Sequence, residues 1–122
     1  MKTLHLLRHA KSAWDQPHLS DRDRGLNKRG KRDAPRIGEM LAQRLAPMSI
    51  AVSPARRAQL TLEGLCTGWA ALGDRVHRTE EDLYTFSEGD LQQWIRLQDD
   101  ACSGLFIISH NPALTDLVNT LV

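Results

Sequence analysis

Two nearly unbroken apolar runs, Thr3–Leu7 (TLHLL) and Leu105–Ser109 (LFIIS, after Gly104), are too short for helices and read as buried strands. Ser49–Val52 (SIAV) reads as another, and Arg75–Thr79 as a weaker one after the Gly73–Asp74 turn. Between them the apolar positions change to helical spacing. Asn27 is placed to cap a helix whose inner face carries Ile37, Met40, Leu41 and Leu45, and Pro47 ends it. Pro35 either kinks that helix or moves its start to a cap at Asp33. Ser53–Pro54 reads as N-cap and first position of a second helix with Ala58, Leu62, Leu65, Cys66 and Trp69 inward. Ser87 with Asp90 three residues on forms a capping box before Leu91, Trp94 and Ile95, and Asn111–Pro112 starts a last helix that runs to the chain end. The order is β-α-β-α-β-α-β-α. Such alternation predicts an α/β fold: a mainly parallel central sheet with helices on both faces, three layers deep.

Composition narrows this little. With 122 residues, 41% hydrophobic and 25% charged, the chain suits one domain over 1–122 of an ordinary water-soluble kind. No apolar run reaches the ~20 residues of a membrane span. Arg8, His9 and Lys11 interrupt the N-terminal apolar stretch too early for a signal peptide. Cys66 and Cys102 make neither a ligand cluster nor a disulfide framework, although one chance disulfide stays open; a reduced cytoplasm is the simpler reading.

Charge changes the picture more. Residues 1–60 hold 13 basic and 5 acidic side chains, a net of +8; residues 61–122 hold 3 and 10, a net of −7. An anion is therefore expected against the first half. In open parallel sheets ligands lie beyond the carboxyl ends of the strands. Those ends carry Arg8–His9, then Ser53 with Arg56 and Arg57 one turn later, then the acidic EEDLY stretch, then Ser109–His110–Asn111. Two histidines, two or more arginines and two helix N-termini on one edge suit a phosphoryl group. A neutral imidazole can attack phosphorus, and arginines can steady the equatorial oxygens without a metal; no Cys/His ligand spacing for one is present. Singly, most of these residues have plainer readings. His5 reads as a core residue, His18 and His77 as solvated, and KRGKR (Lys28–Arg32) as a solvated first helical turn.

The same residues resemble a known family. LLRHAKSAWD is similar to the phosphate-binding signature of the histidine phosphatase superfamily, the phosphoglycerate-mutase-like group. Arg8-His9-Ala10-Lys11-Ser12 is nearest the SixA-type phosphohistidine phosphatases. Asp21–Gly30 (DRDRGLNKRG) resembles the family's D-x-x-R-P-L-N-x-x-G segment, Ser53–Ala58 (SPARRA) its S-P-x-x-R-A, and Ser109–Pro112 (SHNP) its second-histidine motif. The resemblance implies a phosphoglycerate-mutase-like sandwich, His9 as nucleophile, and Arg8, Arg57 and His110 as phosphoryl ligands. It implies a second step in which water releases inorganic phosphate, and no metal or other cofactor.

Departures from the family pattern refine the expectation. Gly25 replaces a frequent Pro, and Leu60 a frequent Gln. The family's glutamate acid, in a Leu-x-Glu context, is missing at Leu83-Tyr84-Thr85; Glu80, Glu81, Asp82 and Glu88 are the candidate substitutes, so the general acid is unknown. A missing acid suits a good leaving group such as the imidazole of a phosphohistidine and counts against a mutase. Family members usually continue into a further strand, often antiparallel. This chain stops at Val122, so that C-terminal strand is expected to be lacking, with one sheet edge open in a shortened or truncated member. The reading that follows is a metal-independent phosphatase acting on phosphohistidine in a protein, such as a phosphotransfer domain. The alternatives are a small-phosphoester phosphatase, a phosphate-binding relic without turnover, and a nucleic-acid module. No nucleic-acid or membrane partner is expected, because no aromatic platform or recognition helix accompanies the charge.

Overall fold

The computed structural model describes residues 3–98 and 104–121. Four parallel strands form one sheet: β1 (Thr3–Arg8), β2 (Ile50–Val52), β3 (Arg78–Thr79) and β4 (Gly104–Ser109), in the order β1-β4-β2-β3. The helices are α1 (Lys28–Ala42), α2 (Arg56–Gly68), α3 (Ala70–Gly73), α4 (Glu88–Arg96) and α5 (Ala113–Leu121). Cys102 and Val122 lie outside the described residues, so the expected disulfide option and chain end are not placed. Cys66 is half-buried, and burial pushes its thiol up.

Strand alternation sorts the core into two layers. Phe106 and Ile108 of β4, with Ile50 and Val52 of β2, pack with Ala58, Leu62 and Leu65 of α2 and with Ile37 and Leu41 of α1. Leu105 and Ile107 of β4, with Ala51 of β2, point the other way and pack with Leu91 and Trp94 of α4 and Leu114 and Leu117 of α5. The α/β architecture with helices on both faces is thus as the apolar pattern predicts. β1 pairs with β4 and, among the described residues, has no strand on its outer side. That edge position is why His5 is only half-buried rather than core, with its ring stacked on Phe106 at 5.6 Å.

Several local expectations need correction. Asn27 does cap α1, accepting from Gly30 N–H at 2.8 Å, and the helix runs through Pro35 without a new start at Asp33. It ends at Ala42, short of Pro47. Small residues let α1 and α2 lie close: a Cβ on Gly68 would run into the Pro35 carbonyl oxygen, and one on Gly38 into the Leu65 carbonyl oxygen. Ser53 is not the cap of α2, which begins at Arg56 after Ala55. The third strand shrinks to Arg78–Thr79. His77 is not solvated: Nδ1 accepts from Ile50 N–H at 2.9 Å and Nε2 donates to the Leu72 carbonyl at 2.8 Å, satisfying the start of β2. Ser87 caps α4 through Asp90 N–H, but Thr85 Oγ1, not Asp90, accepts from Ser87 N–H, so half of the capping box is replaced.

Candidate active site

Parallel register brings three strand ends together. Arg8 lies beside Ser109, and Val52 beside Ile108. The next residues therefore adjoin: His9 N–H donates to Ser109 O, and Ser53 N–H to Ile108 O. A cleft of about 550 Å³ opens there, lined by Arg8, His9, Arg57 and His110, the four residues singled out from the sequence. The rings of His9 and His110 lie 5.2 Å apart. Arg56 points away and is exposed, whereas Arg57 is 2% exposed.

The two imidazoles are held in defined roles. His9 Nδ1 is 2.8 Å from the Ala10 carbonyl, which can only accept, so Nδ1 carries the hydrogen. Its Nε2 lone pair accepts from Arg57 Nε–H at 3.2 Å. His110 Nδ1 lies 3.4 Å from Arg57 Nη2, which can only donate, so Nδ1 accepts and Nε2 donates to Ser53 Oγ at 2.7 Å. Both free nitrogen lone pairs thus converge on one guanidinium. Burial is the main reason both rings resist protonation, and the nearby cations add to it. His9 falls to about 4, the Ala10 bond opposing and Arg57, Arg8 and Arg24 reinforcing. His110 falls to about 3, with Arg57 as the second cause. Both are neutral at pH 7.

Sequence reasoning gave no role to the residues that hold Arg57. Asp21 accepts from Arg57 twice, through its carbonyl at 2.6 Å and Oδ2 at 3.0 Å. Tyr84 Oη donates to the same carboxylate at 2.6 Å, and Arg24 Nη1 to its other oxygen at 3.0 Å. Burial pushes the Asp21 carboxyl up, but the bonds from Tyr84 and Arg57 and the Arg57 charge outweigh it and hold it at about 2. Thr61 Oγ1 donates to the Arg57 carbonyl at 2.7 Å and accepts from Ala10 N–H at 2.9 Å, tying α2 to the loop after β1. From the other side, a Cβ on Gly30 would run into the Lys11 carbonyl, so only glycine lets α1 support that loop so closely. The one signal in the sequence was that Asp21 begins the D-x-x-R segment.

The candidate acids are elsewhere. Glu81 pairs with Arg22 at 2.6 Å, Glu80 with Arg78 at 3.7 Å, and none of Glu80, Glu81, Asp82 and Glu88 lines the cleft. Its carboxylates are Asp21 and Asp33, set against Arg8, Lys11, Arg24, Arg29 and Arg57. Five cations against two carboxylates give the cleft a net positive lining that favours an anion. Among the described residues, no three His, Cys, Asp or Glu side chains converge as metal ligands would, and no helix is long and apolar enough to cross a membrane.

Residues 4–101 match the profile of the histidine phosphatase superfamily (branch 1). The chain belongs to this superfamily. The matched span holds Arg8, His9 and Arg57; His110 lies beyond it, and the parallel register supplies it. Among solved structures, the Agrobacterium tumefaciens protein assigned as phosphohistidine phosphatase SixA is 28% identical, with a TM-score of 0.84 over 98% of this chain and 77% of its own. A second assigned SixA, from Nakamurella multipartita, is 26% identical, with a TM-score of 0.74 over 95% of this chain and 63% of its own. An uncharacterized chloroplast protein of Arabidopsis thaliana is 40% identical over 65 residues, or 52% of this chain and 30% of that protein; the chain thus spans under a third of this curated relative. Membership of the superfamily agrees with the fold class and the cationic cleft.

The two neutral histidines of the cleft tie the stability of the fold to pH. Unfolded histidine binds protons as pH falls through about 6.5, while the folded rings wait until about 4 and 3. The unfolded state therefore holds more protons in that window, and stability present above about 6.5 is lost as pH falls. Urea midpoints should drop between pH 7.5 and 5, and the drop should be smaller in His110→Gln. An equal slope in both would show that His110 does not carry the effect.

Proposed function

We propose that this histidine phosphatase works without a metal, through a phosphohistidine on His9, and that its substrate is a phosphohistidine on a protein. The observation that carries the reading is the His9 ring: neutral, its tautomer fixed by the Ala10 carbonyl, its Nε2 lone pair facing an arginine in an anion cleft. In the first step Nε2 attacks phosphorus and the substrate P–N bond breaks, the departing imidazole nitrogen keeping the electron pair and taking a proton. In the second step water attacks the phosphoryl group on His9, and inorganic phosphate leaves. Arg8, Arg57 and His110 bind the equatorial oxygens. For Arg57 this means exchanging its bond to His9 for bonds to the phosphoryl group while Asp21 keeps it in place.

His110 has a further requirement. Its Nδ1 is an acceptor in the free site and must gain a proton to donate to an oxyanion. A dianion in the cleft raises its pKa and supplies the reason to take one up. The acids after β3 lie off the cleft, which favours a leaving group that departs without a strong carboxylic acid, as a protonated imidazole does. The likeness to two assigned SixA structures supports the same substrate class.

Rapid acid-free quenching during turnover should trap base-stable, acid-labile phosphate on His9. A phosphorylated phosphotransfer domain should lose its label with EDTA present, faster than sugar phosphates are hydrolysed. Retention of the label at any enzyme level would remove the protein-substrate reading, and p-nitrophenyl phosphate turnover alone would leave a small-phosphoester enzyme.

A further inference from the structure

An open groove of about 820 Å³ runs beside the cleft and shares Trp14 and Arg29 with it. Its floor is apolar, made by Leu26, which is 5% exposed, and by Leu60 packed beside it. Gly25 keeps the floor low, since a Cβ there would lie 3.3 Å from Leu60 Cδ1 and 3.5 Å from Arg56 Nε. The rim carries Lys28, Lys31 and Arg56, all exposed. Among the described residues none of the three makes an ion pair. With Arg29, the groove has four cations against the two carboxylates of Asp15 and Asp23.

Two features of this groove run against local stability, and a third is an exposed aromatic anchor. Lys28 and Lys31 are like charges three residues apart on one helix. They begin α1, where the helix dipole disfavours cations, and the first turn has no acidic residue to offset them. Trp14 is 73% exposed at the junction of the two cavities, yet it is held, with the Arg24 guanidinium carbon 3.6 Å from its ring centroid. Local conflicts of this kind gather where a surface serves a ligand.

We infer that the groove docks an acidic polypeptide segment next to the phosphoryl-bearing residue of the partner. Carboxylates of that segment meet Lys28, Lys31 and Arg56, and an apolar side chain covers Leu26 and Leu60 beyond Trp14. This gives the departure at Leu60 a use, because an amide there would break the apolar floor. Asp15 and Asp23 in the same groove oppose a continuous phosphate backbone, which favours a peptide over a nucleic acid. The inference deepens the phosphohistidine reading and rests on it for the residue that enters the cleft.

The test uses peptides carrying phosphotriazolylalanine, a stable phosphohistidine isostere, flanked either by Asp and Glu or by Ser and Gly. Wild type should bind the acidic peptide roughly tenfold more tightly, with an advantage that shrinks in high salt. Lys28→Glu/Lys31→Glu/Arg56→Glu should lose that advantage while keeping the affinity for the neutral peptide and the p-nitrophenyl phosphate kcat/KM, which also reports correct folding. The milder triple change to Gln should lie between. Equal binding of the two peptides, an advantage that survives charge reversal, or a single-stranded DNA that competes better than the acidic peptide would overturn the inference. Intact acidic preference without any phosphate-releasing activity would instead support the groove and sink the phosphatase reading.

Discussion

His9→Ala should lower kcat/KM for any phosphorylated substrate by on the order of 10⁴-fold or more and abolish trapped phosphoenzyme. The size follows from the division of labour in the cleft. The guanidinium groups of Arg8 and Arg57 and the ring of His110 remain, so substrate still binds, and KM should change far less than kcat. What disappears is the lone pair on Nε2 and, with it, the two-step path. Water would then have to displace the leaving group directly, without the covalent intermediate. His9 is only half-buried, so removing its ring costs little packing, and thermal unfolding should stay near that of wild type. Retained turnover with wild-type melting behaviour would contradict the assignment of His9 as nucleophile.

Arg57→Ala should be almost as severe, lowering kcat/KM by about 10³-fold or more, and Arg57→Lys should recover little of it. This side chain is 2% exposed and spends its donors on four groups: His9 Nε2, His110 Nδ1, and the carbonyl and carboxylate of Asp21. A lysine ammonium on a flexible stem cannot bond in a plane to Asp21 and a phosphoryl group together. The variant has a second signature. Arg57 is one of the charges that keep both histidines neutral, so its loss should raise both pKa values toward 6.5. NMR titration of the two rings should show that shift in Arg57→Ala and little of it in Arg57→Lys. If the pKa values hold in Arg57→Ala while activity falls, the arginine acts on phosphate alone.

The fold and the centre of the site were legible for connected reasons. TLHLL and LFIIS are apolar because one is backed by helices and the other is buried on both faces; the first runs into Arg8–His9 and the second into His110. Once the strands are parallel, those histidines must share an edge. What stayed hidden were residues whose role depends on a partner distant in sequence. Ser53 before Pro54 has the composition of a helix cap, yet its hydroxyl faces His110, 57 positions on. His77 looks solvated among polar neighbours but satisfies Ile50 and Leu72. Asp21 lies in a loop rich in aspartate, where nothing local separates the carboxylate that holds Arg57 from those that face water. Pro35 misleads in the opposite direction. Local rules kink the helix there or move its start to a cap at Asp33, whereas Asn27 caps the whole helix and the glycines of α2 hold it closely.

The strand order has a consequence for synthesis. Of the described strands β4 is synthesised last, and it lies between β1 and β2. Until Gly104–Ser109 emerge, β1 has no hydrogen-bonded neighbour among the described strands, and β2 has only the two residues of β3. The pairing of Thr3 with Gly104 closes a loop of about a hundred residues in one late event, the kind of long-range contact that slows folding. A nascent chain ending anywhere before β4 therefore carries Arg8, His9 and Arg57 with no strand to join β1 to β2, and the cleft can assemble only once β4 has paired.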